Sequence, residues 1–150
     1  MEIRLLNKGA GLPMDLLLEA DPSEGLVREY CSNGFVYEAA VDDELMGVYV
    51  LLPLTDGIVE IKNIAVAEDA RGQGYGKRLI QHALSEAERL GFGNVEIGTG
   101  NSSVDQLMLY QKCGFRIDSI DRDFFTRNYP EPIFENGIQC RDMIRLVYTF

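Results

Sequence analysis

What this chain has least of already closes several classes of function. It has one histidine and three cysteines (Cys31, Cys113 and Cys140), and the cysteines are odd in number and lack metal or redox spacing. They read as reduced thiols in a cytoplasmic protein, with no metal site. No apolar run reaches the length of about 18 residues that a membrane helix needs, and no basic start precedes an apolar segment at the N-terminus, so secretion and membrane spanning are not expected. Basic residues are scarce too: 14 Lys and Arg face 24 Asp and Glu, a net charge of −10. That balance argues against nucleic acid and suits either a cationic partner or simple solubility. No repeat, low-complexity tract or linker divides the 150 residues, which read as one domain spanning 1–150.

What is present is a chain of ordinary globular composition, 46% hydrophobic and 25% charged, with clear periodicity. Met1 to Asn7 alternates as a first strand. Pro13 precedes a short helix, Met14 to Ala20, ended by Asp21-Pro22. Ser23 caps a second helix through Tyr30. Phe35 to Val41 and Leu45 to Leu54 form a hairpin across Asp42-Asp43-Glu44. A β-branched run, Ile58 to Ala67, reads as a buried strand. From Tyr75 to Leu90 the apolar residues Leu79, Ile80, Ala83, Leu84, Ala87 and Leu90 mark one helix face. Asn94 to Thr99 is a strand. Ser103 with Gln106 signals a capping box for a helix ending at Gly114. Phe115 to Asp121 and Met143 to Phe150 close the sheet, and Phe124 to Gln139 reads as a loop. This order predicts a mixed α/β sheet with a parallel centre.

The stretch around which the rest is organised is 58–90. A strand, a glycine-rich turn (Arg71 to Gly76) and a helix N-terminus converge there, an arrangement that directs backbone N–H groups at an anion. Arg71, Lys77 and Arg78 add charge, so a phosphate-bearing ligand is expected. Two motifs fail on spacing. A Walker loop needs four residues between its first Gly and Gly-Lys-Ser/Thr, but three separate Gly72 from Gly76, and Arg78 stands where the hydroxyl belongs. A dinucleotide fingerprint fails at Lys77, where its third glycine should be.

What remains is Arg71-x-x-Gly74-x-Gly76, which resembles the coenzyme A pyrophosphate motif of the GNAT (Gcn5-related N-acetyltransferase) family, bacterial single-domain type. Glu60-Ile61-x-x-Ile64-Ala65-Val66 is similar to that family's splayed fourth strand, where a bulge frees backbone groups near 64–66. Asn94 to Asn101 is similar to the fifth strand, whose terminal Asn contacts the cofactor arm. Tyr110-x-x-x-Gly114-Phe115 resembles the family's Tyr-x-x-x-Gly-Phe signature. The resemblance implies an α/β acyl-CoA N-acyltransferase fold: a mixed, mostly antiparallel sheet with a splayed parallel pair of fourth and fifth strands and about four helices. It implies acetyl-CoA as cosubstrate, bound by Ile64, Ala65, Val66, Arg71, Gly72, Gln73, Gly74, Tyr75, Gly76, Lys77 and Asn101.

Acetyl transfer to an amine also needs a neutral nucleophile, an oxyanion donor and a proton for the leaving thiolate. The backbone N–H of Val66 or Ala65 is the candidate oxyanion donor. Tyr110 is the acid that the resemblance implies, a phenol of pKa about 10 matched to a thiol of about 8–9. Glu60 and Glu96 align with two alternative bases; either is otherwise a structural carboxylate or a wall for a cationic acceptor. His82 falls on the polar helix face and is expected to be exposed and uninvolved. Cys113 lacks a histidine partner, which argues against a covalent route. The acceptor, bounded by the N-terminal helices and by Phe124, Phe125, Tyr129, Phe134, Asp123, Glu131 and Glu135, is expected to be a small cationic amine of polyamine or aminoglycoside type. A protein N-terminus or lysine, or a non-catalytic acyl-CoA sensor, are the alternatives, and a homodimer is a candidate assembly.

Overall fold

Turn chemistry and hydrophobic period account for most of the element boundaries. The computed structural model describes residues 1–150, which form two compact units, Met1–Gly93 and Asn94–Phe150. In the first, β1 (Glu2–Leu5), β2 (Phe35–Val41), β3 (Glu44–Pro53) and β4 (Ile58–Val66) form an antiparallel sheet in chain order. Helices α1 (Met14–Ala20) and α2 (Glu24–Asn33) cover one face. Leu16, Leu17, Val27, Tyr30 and Cys31 pack there against Val36, Val48 and Val50. Ser23 caps α2 as expected, its Oγ accepting from the Leu26 N–H at 3.4 Å, an arrangement worth about 1 kcal/mol. Helix α3 (Tyr75–Arg89) covers the other face and buries Leu79, Ile80, Ala83, Leu84 and Ala87. Its approach to the sheet is close: a Cβ on Gly47 of β3 would lie 2.9 Å from Leu79 Cδ1.

In the second unit, β5 (Asn94–Gly100), β9 (Met143–Thr149) and β6 (Arg116–Asp121) pair antiparallel with β9 in the middle. Helix α4 (Val104–Lys112) ends at Gly114. The stretch 124–139, expected as a loop, is built instead as α5 (Phe124–Asn128) and a hairpin of β7 (Ile133–Glu135) and β8 (Ile138–Cys140). Its turn is Asn136-Gly137, both at positive φ (55° and 73°), the pair that a two-residue hairpin favours. Five α-helices are therefore present rather than about four. The capping box at α4 is not made: Ser103 Oγ does not cap the helix but donates to Glu135 Oε1 at 2.8 Å, tying the hairpin down.

Candidate active site

The turn before α3 has the shape an anion needs. Gly72 and Gly74 hold φ of 77° and 83°, and a Cβ built on either meets nothing within 4 Å, so the turn is open as well as left-handed. Gly74 is the N-cap, and the first helical bond runs from Arg78 N to Gly74 O at 3.2 Å. The N–H groups of Tyr75, Gly76 and Lys77 therefore have no partner within the helix, at the positive end of a 15-residue dipole. Arg71, Gly72, Gln73, Gly74 and Lys77 are exposed, while Tyr75 and Gly76 are half-buried. The residues fit a pyrophosphate: the backbone of 72–77 for its oxygens, Lys77 for its charge. Arg71 is already engaged. Its Nε donates to Val66 O at 3.1 Å, and its Nη2 pairs with Glu19 Oε2 of α1 at 3.0 Å.

That bond to Val66 O brings the turn against the end of β4, where the candidate oxyanion donors lie. Ala67 N donates to Met46 O at 2.7 Å, and Val66, Ala65 and Ile64 stand opposite Gly47, Val48 and Tyr49. In an antiparallel ladder every second residue turns its N–H and C=O away from the partner. Val66 and Ile64 therefore direct their amides away from β3, whereas the Ala65 N–H is used within the ladder. Of the two candidates, Val66 is the available donor. The bulge lies upstream of its expected place: Val50 stands opposite Asn63 and Leu51 opposite Ile61, which leaves Lys62 as the extra residue.

This bulge matters for side chains. Because strand residues alternate between faces, the inserted Lys62 brings Glu60 and Asn63 onto the same face, opposite Leu52 and Val50 respectively. That is the face covered by α1 and α2. Glu60 is buried, with Oε1 4.0 Å from Lys62 Nζ. Lys62 Nζ lies 5.8 Å from the centre of the Tyr30 ring. Asn63, unremarked in the sequence, is buried too and donates to Tyr30 Oη (2.9 Å) and Leu17 O (3.0 Å). Tyr30 Oη in turn donates to Asp21 Oδ2 at 3.2 Å, and its burial pushes its pKa well up.

In the second unit the Tyr110 signature has a physical explanation. Phe115 N donates to Tyr110 O (3.1 Å) and Gly114 N to Gln111 O (3.0 Å), the two bonds of a Schellman helix end with glycine left-handed at φ 101°. The Tyr110 and Phe115 rings, 6.3 Å apart, supply its hydrophobic contact. The spacing of the motif is thus a helix-stop geometry that fixes the position of the tyrosine. Tyr110 is buried, and desolvation raises its pKa far above the usual phenol value, which takes it away from the close match to a thiol that its sequence reading expects.

Glu96 is half-buried on β5 opposite Val147, on the alternate face from the buried Val95, Ile97 and Thr99. The Asn101 side chain is committed elsewhere: Oδ1 accepts from Arg141 N (2.8 Å) and Asp142 N (3.0 Å), and Nδ2 donates to Gln139 O (3.1 Å). It holds the β8–β9 connection. Around α5, Phe125 stacks on Tyr129 with centroids 5.9 Å apart and meets Phe124 edge to face at 5.1 Å. Phe125, Tyr129, Pro130 and Glu131 line a hollow of about 140 Å³ with Gln139 and Cys140.

His82 is not exposed. It is half-buried, and its Nδ1 shares a 2.7 Å hydrogen bond with Tyr49 Oη. Burial lowers its pKa, against the opposing charge of Glu86. Glu86 accepts from Tyr37 Oη at 3.0 Å and pairs with Arg89. The helical wheel placed both residues among polar neighbours; two tyrosines pointing from the sheet draw them inward.

A glycine cradle at the N-terminus of α3 and a β4 end with outward amides in the first unit, and a tyrosine at a Schellman stop in the second, are each features of an N-acetyltransferase of mixed α/β fold. The chain belongs to the acetyltransferase (GNAT) family, whose model matches residues 12–115. It is 60% identical over 132 residues to an uncharacterized N-acetyltransferase, YvbK, of Bacillus subtilis, covering 88% of this chain and 85% of that one. A GNAT acetyltransferase structure from Elizabethkingia anophelis with acetyl-CoA bound superposes with a TM-score of 0.97 at 48% identity, covering 99% of this chain and 97% of that one. A structure described as an IAA acetyltransferase from Bacillus cereus superposes at 0.96 with 52% identity, covering 99% of each chain.

Proposed function

We propose that the protein transfers an acetyl group from acetyl-CoA to a primary amine of a small cationic molecule, of polyamine or aminoglycoside type, by direct attack in a ternary complex. The observation that carries the reading is the open left-handed turn Gly72–Gly74 ahead of α3, linked through Arg71 to the outward-facing end of β4. The acetyl-CoA bound to the Elizabethkingia neighbour supports the donor. In this reading the backbone of 72–77 holds the pyrophosphate, and the thioester is the chemistry that the cosubstrate supplies. The Val66 N–H donates to the carbonyl oxygen, and Tyr110 gives its proton to the departing sulfur. Glu60 takes a proton from the amine, with Glu96 as the second candidate. The acidic surplus of the chain and Glu131 beside the Phe125–Tyr129 stack suit a cationic acceptor.

The test is release of free thiol from acetyl-CoA with spermidine, kanamycin and IAA, the acceptor in the Bacillus cereus protein's name. Acetyl-CoA should raise the melting temperature whether or not an amine is present. No rise overturns the donor assignment; a rise with no thiol release from any amine overturns catalysis. Tyr110→Phe should lower kcat by about 100-fold or more while leaving the acetyl-CoA effect on melting in place.

A further inference from the structure

Resting on the function proposed above, we infer that Asn63 is a contact for the acceptor, its Oδ1 accepting a hydrogen bond from the incoming amine beside Glu60. The argument begins with what the side chain costs. Asn63 is 4% exposed, and its Oδ1 is buried with no hydrogen-bond partner, a state that destabilises a fold by about 1–3 kcal/mol.

Structural need does not explain it. The two Nδ2 hydrogens go to Leu17 O and Tyr30 Oη, and both groups have another partner. Leu17 O also accepts from Asp21 N at 3.1 Å, and Tyr30 Oη is bonded to Asp21 Oδ2. An aliphatic side chain of the same size would leave neither of them orphaned. What Asn63 offers that such a side chain cannot is a fixed acceptor oxygen. Its amide is oriented by the two donations, so Oδ1 is locked as the free end.

The surroundings say what it accepts. The bulge at Lys62 rotates Asn63 onto the face of β4 that bears Glu60, and the Tyr30 ring already carries a cation, Lys62 Nζ, over it at 5.8 Å. A neutral acceptor oxygen, a carboxylate and an aromatic ring on one face suit a primary ammonium, which has three N–H donors and no acceptor. The role is to hold and aim the nitrogen, with Glu60 receiving the proton.

The experiment compares Asn63→Leu, Asn63→Asp and Tyr30→Phe with the parent in steady-state kinetics on whichever of spermidine or kanamycin turns over faster, with melting temperatures alongside. Asn63→Leu should raise KM for the amine about tenfold or more, the effect of losing one bond to a charged donor. KM for acetyl-CoA should stay within about twofold, and the melting temperature should not fall, because the orphaned oxygen is gone. Asn63→Asp keeps an acceptor oxygen and should keep the amine KM near that of the parent. Tyr30→Phe should leave it within about twofold, since the phenol only orients the amide. An unchanged amine KM in Asn63→Leu overturns the inference. So does a rise in both KM values with a lower melting temperature, or the same loss in Tyr30→Phe: either makes Asn63 a structural residue. A parent that acetylates neither amine defeats the proposed function itself, and this inference with it.

Discussion

Two buried polar clusters flank the first sheet, one on each face, and they are built to opposite rules. Under α3, Tyr37 and Tyr49 stack at 4.6 Å with rings 9° from parallel. Every polar end there is matched: Tyr49 Oη with His82, Tyr37 Oη with Glu86, Glu86 with Arg89. Under α1 and α2, the Asp21–Tyr30–Asn63 chain ends on an oxygen with no partner. A closed network returns the desolvation of its members as structure, whereas an open one holds a bonding position in reserve. The difference teaches where to look for chemistry on this fold: the α3 face stabilises, and the α1–α2 face is where the proposed reaction would act.

The sharpest way to break that comparison is to strike Glu60. Glu60→Gln should lower kcat by about 100-fold or more, as expected for a lost general base, while leaving the acetyl-CoA melting shift intact. If Glu96→Gln carries the loss instead and Glu60→Gln is near parental, the base lies on β5 and the α1–α2 face only binds. On the opposite face the expected effect is thermodynamic. Tyr49→Phe removes the 2.7 Å bond to His82 and should cost about 1–2 kcal/mol, a melting shift of several degrees, with the amine KM unchanged. A kinetic effect as large as that of Asn63→Leu would show that both faces serve the reaction.

The closed network also predicts a pH dependence with a definite sign. Burial lowers the pKa of His82 below its usual 6.5, so the unfolded chain binds the proton more tightly than the folded one. The contribution is fully present above the unfolded value and is lost as pH falls from there through the folded value. Glu86, whose pKa is held down first by its bond to Arg89, adds a loss of the same sign at lower pH. Stability should therefore fall on acidification from about pH 7 to 5, and His82→Gln, which keeps an acceptor for Tyr49 but does not titrate, should flatten that fall. An unchanged slope in the variant assigns the titration elsewhere.

How much of this was legible depended on whether the signal was local. The glycine turn, the Ser23 cap and the α3 stripe are properties of consecutive residues, and the structure has them where the pattern put them. Asn136-Gly137 was equally local, a hairpin turn passed over because the surrounding prolines and aromatics read as loop. Asn63, by contrast, carries no motif. Its burial depends on a bulge at Lys62 that exists only once β3 is paired with β4. His82 was misread for a similar reason: helical period says which residues share a face, and not which polar residue at the margin of that face a sheet tyrosine will capture. Ser103 met a capping pattern, and a glutamate 32 positions away outcompeted it.

The smallest expected effect tests a link from α1 to the cofactor turn. Arg71 is held by Glu19 of α1 at 3.0 Å, both side chains about half exposed, a kind of pair whose net worth is about 0–1 kcal/mol. Glu19→Gln should therefore barely move the melting temperature. It should lower KM for acetyl-CoA by about twofold, because a carboxylate competing with phosphate for the guanidinium is gone, and the gain should fade as salt rises. Were Glu19→Gln instead to raise KM for the amine, the Arg71–Glu19 pair would be setting the position of α1 over Asn63. The open cluster would then be held in place from the cofactor side.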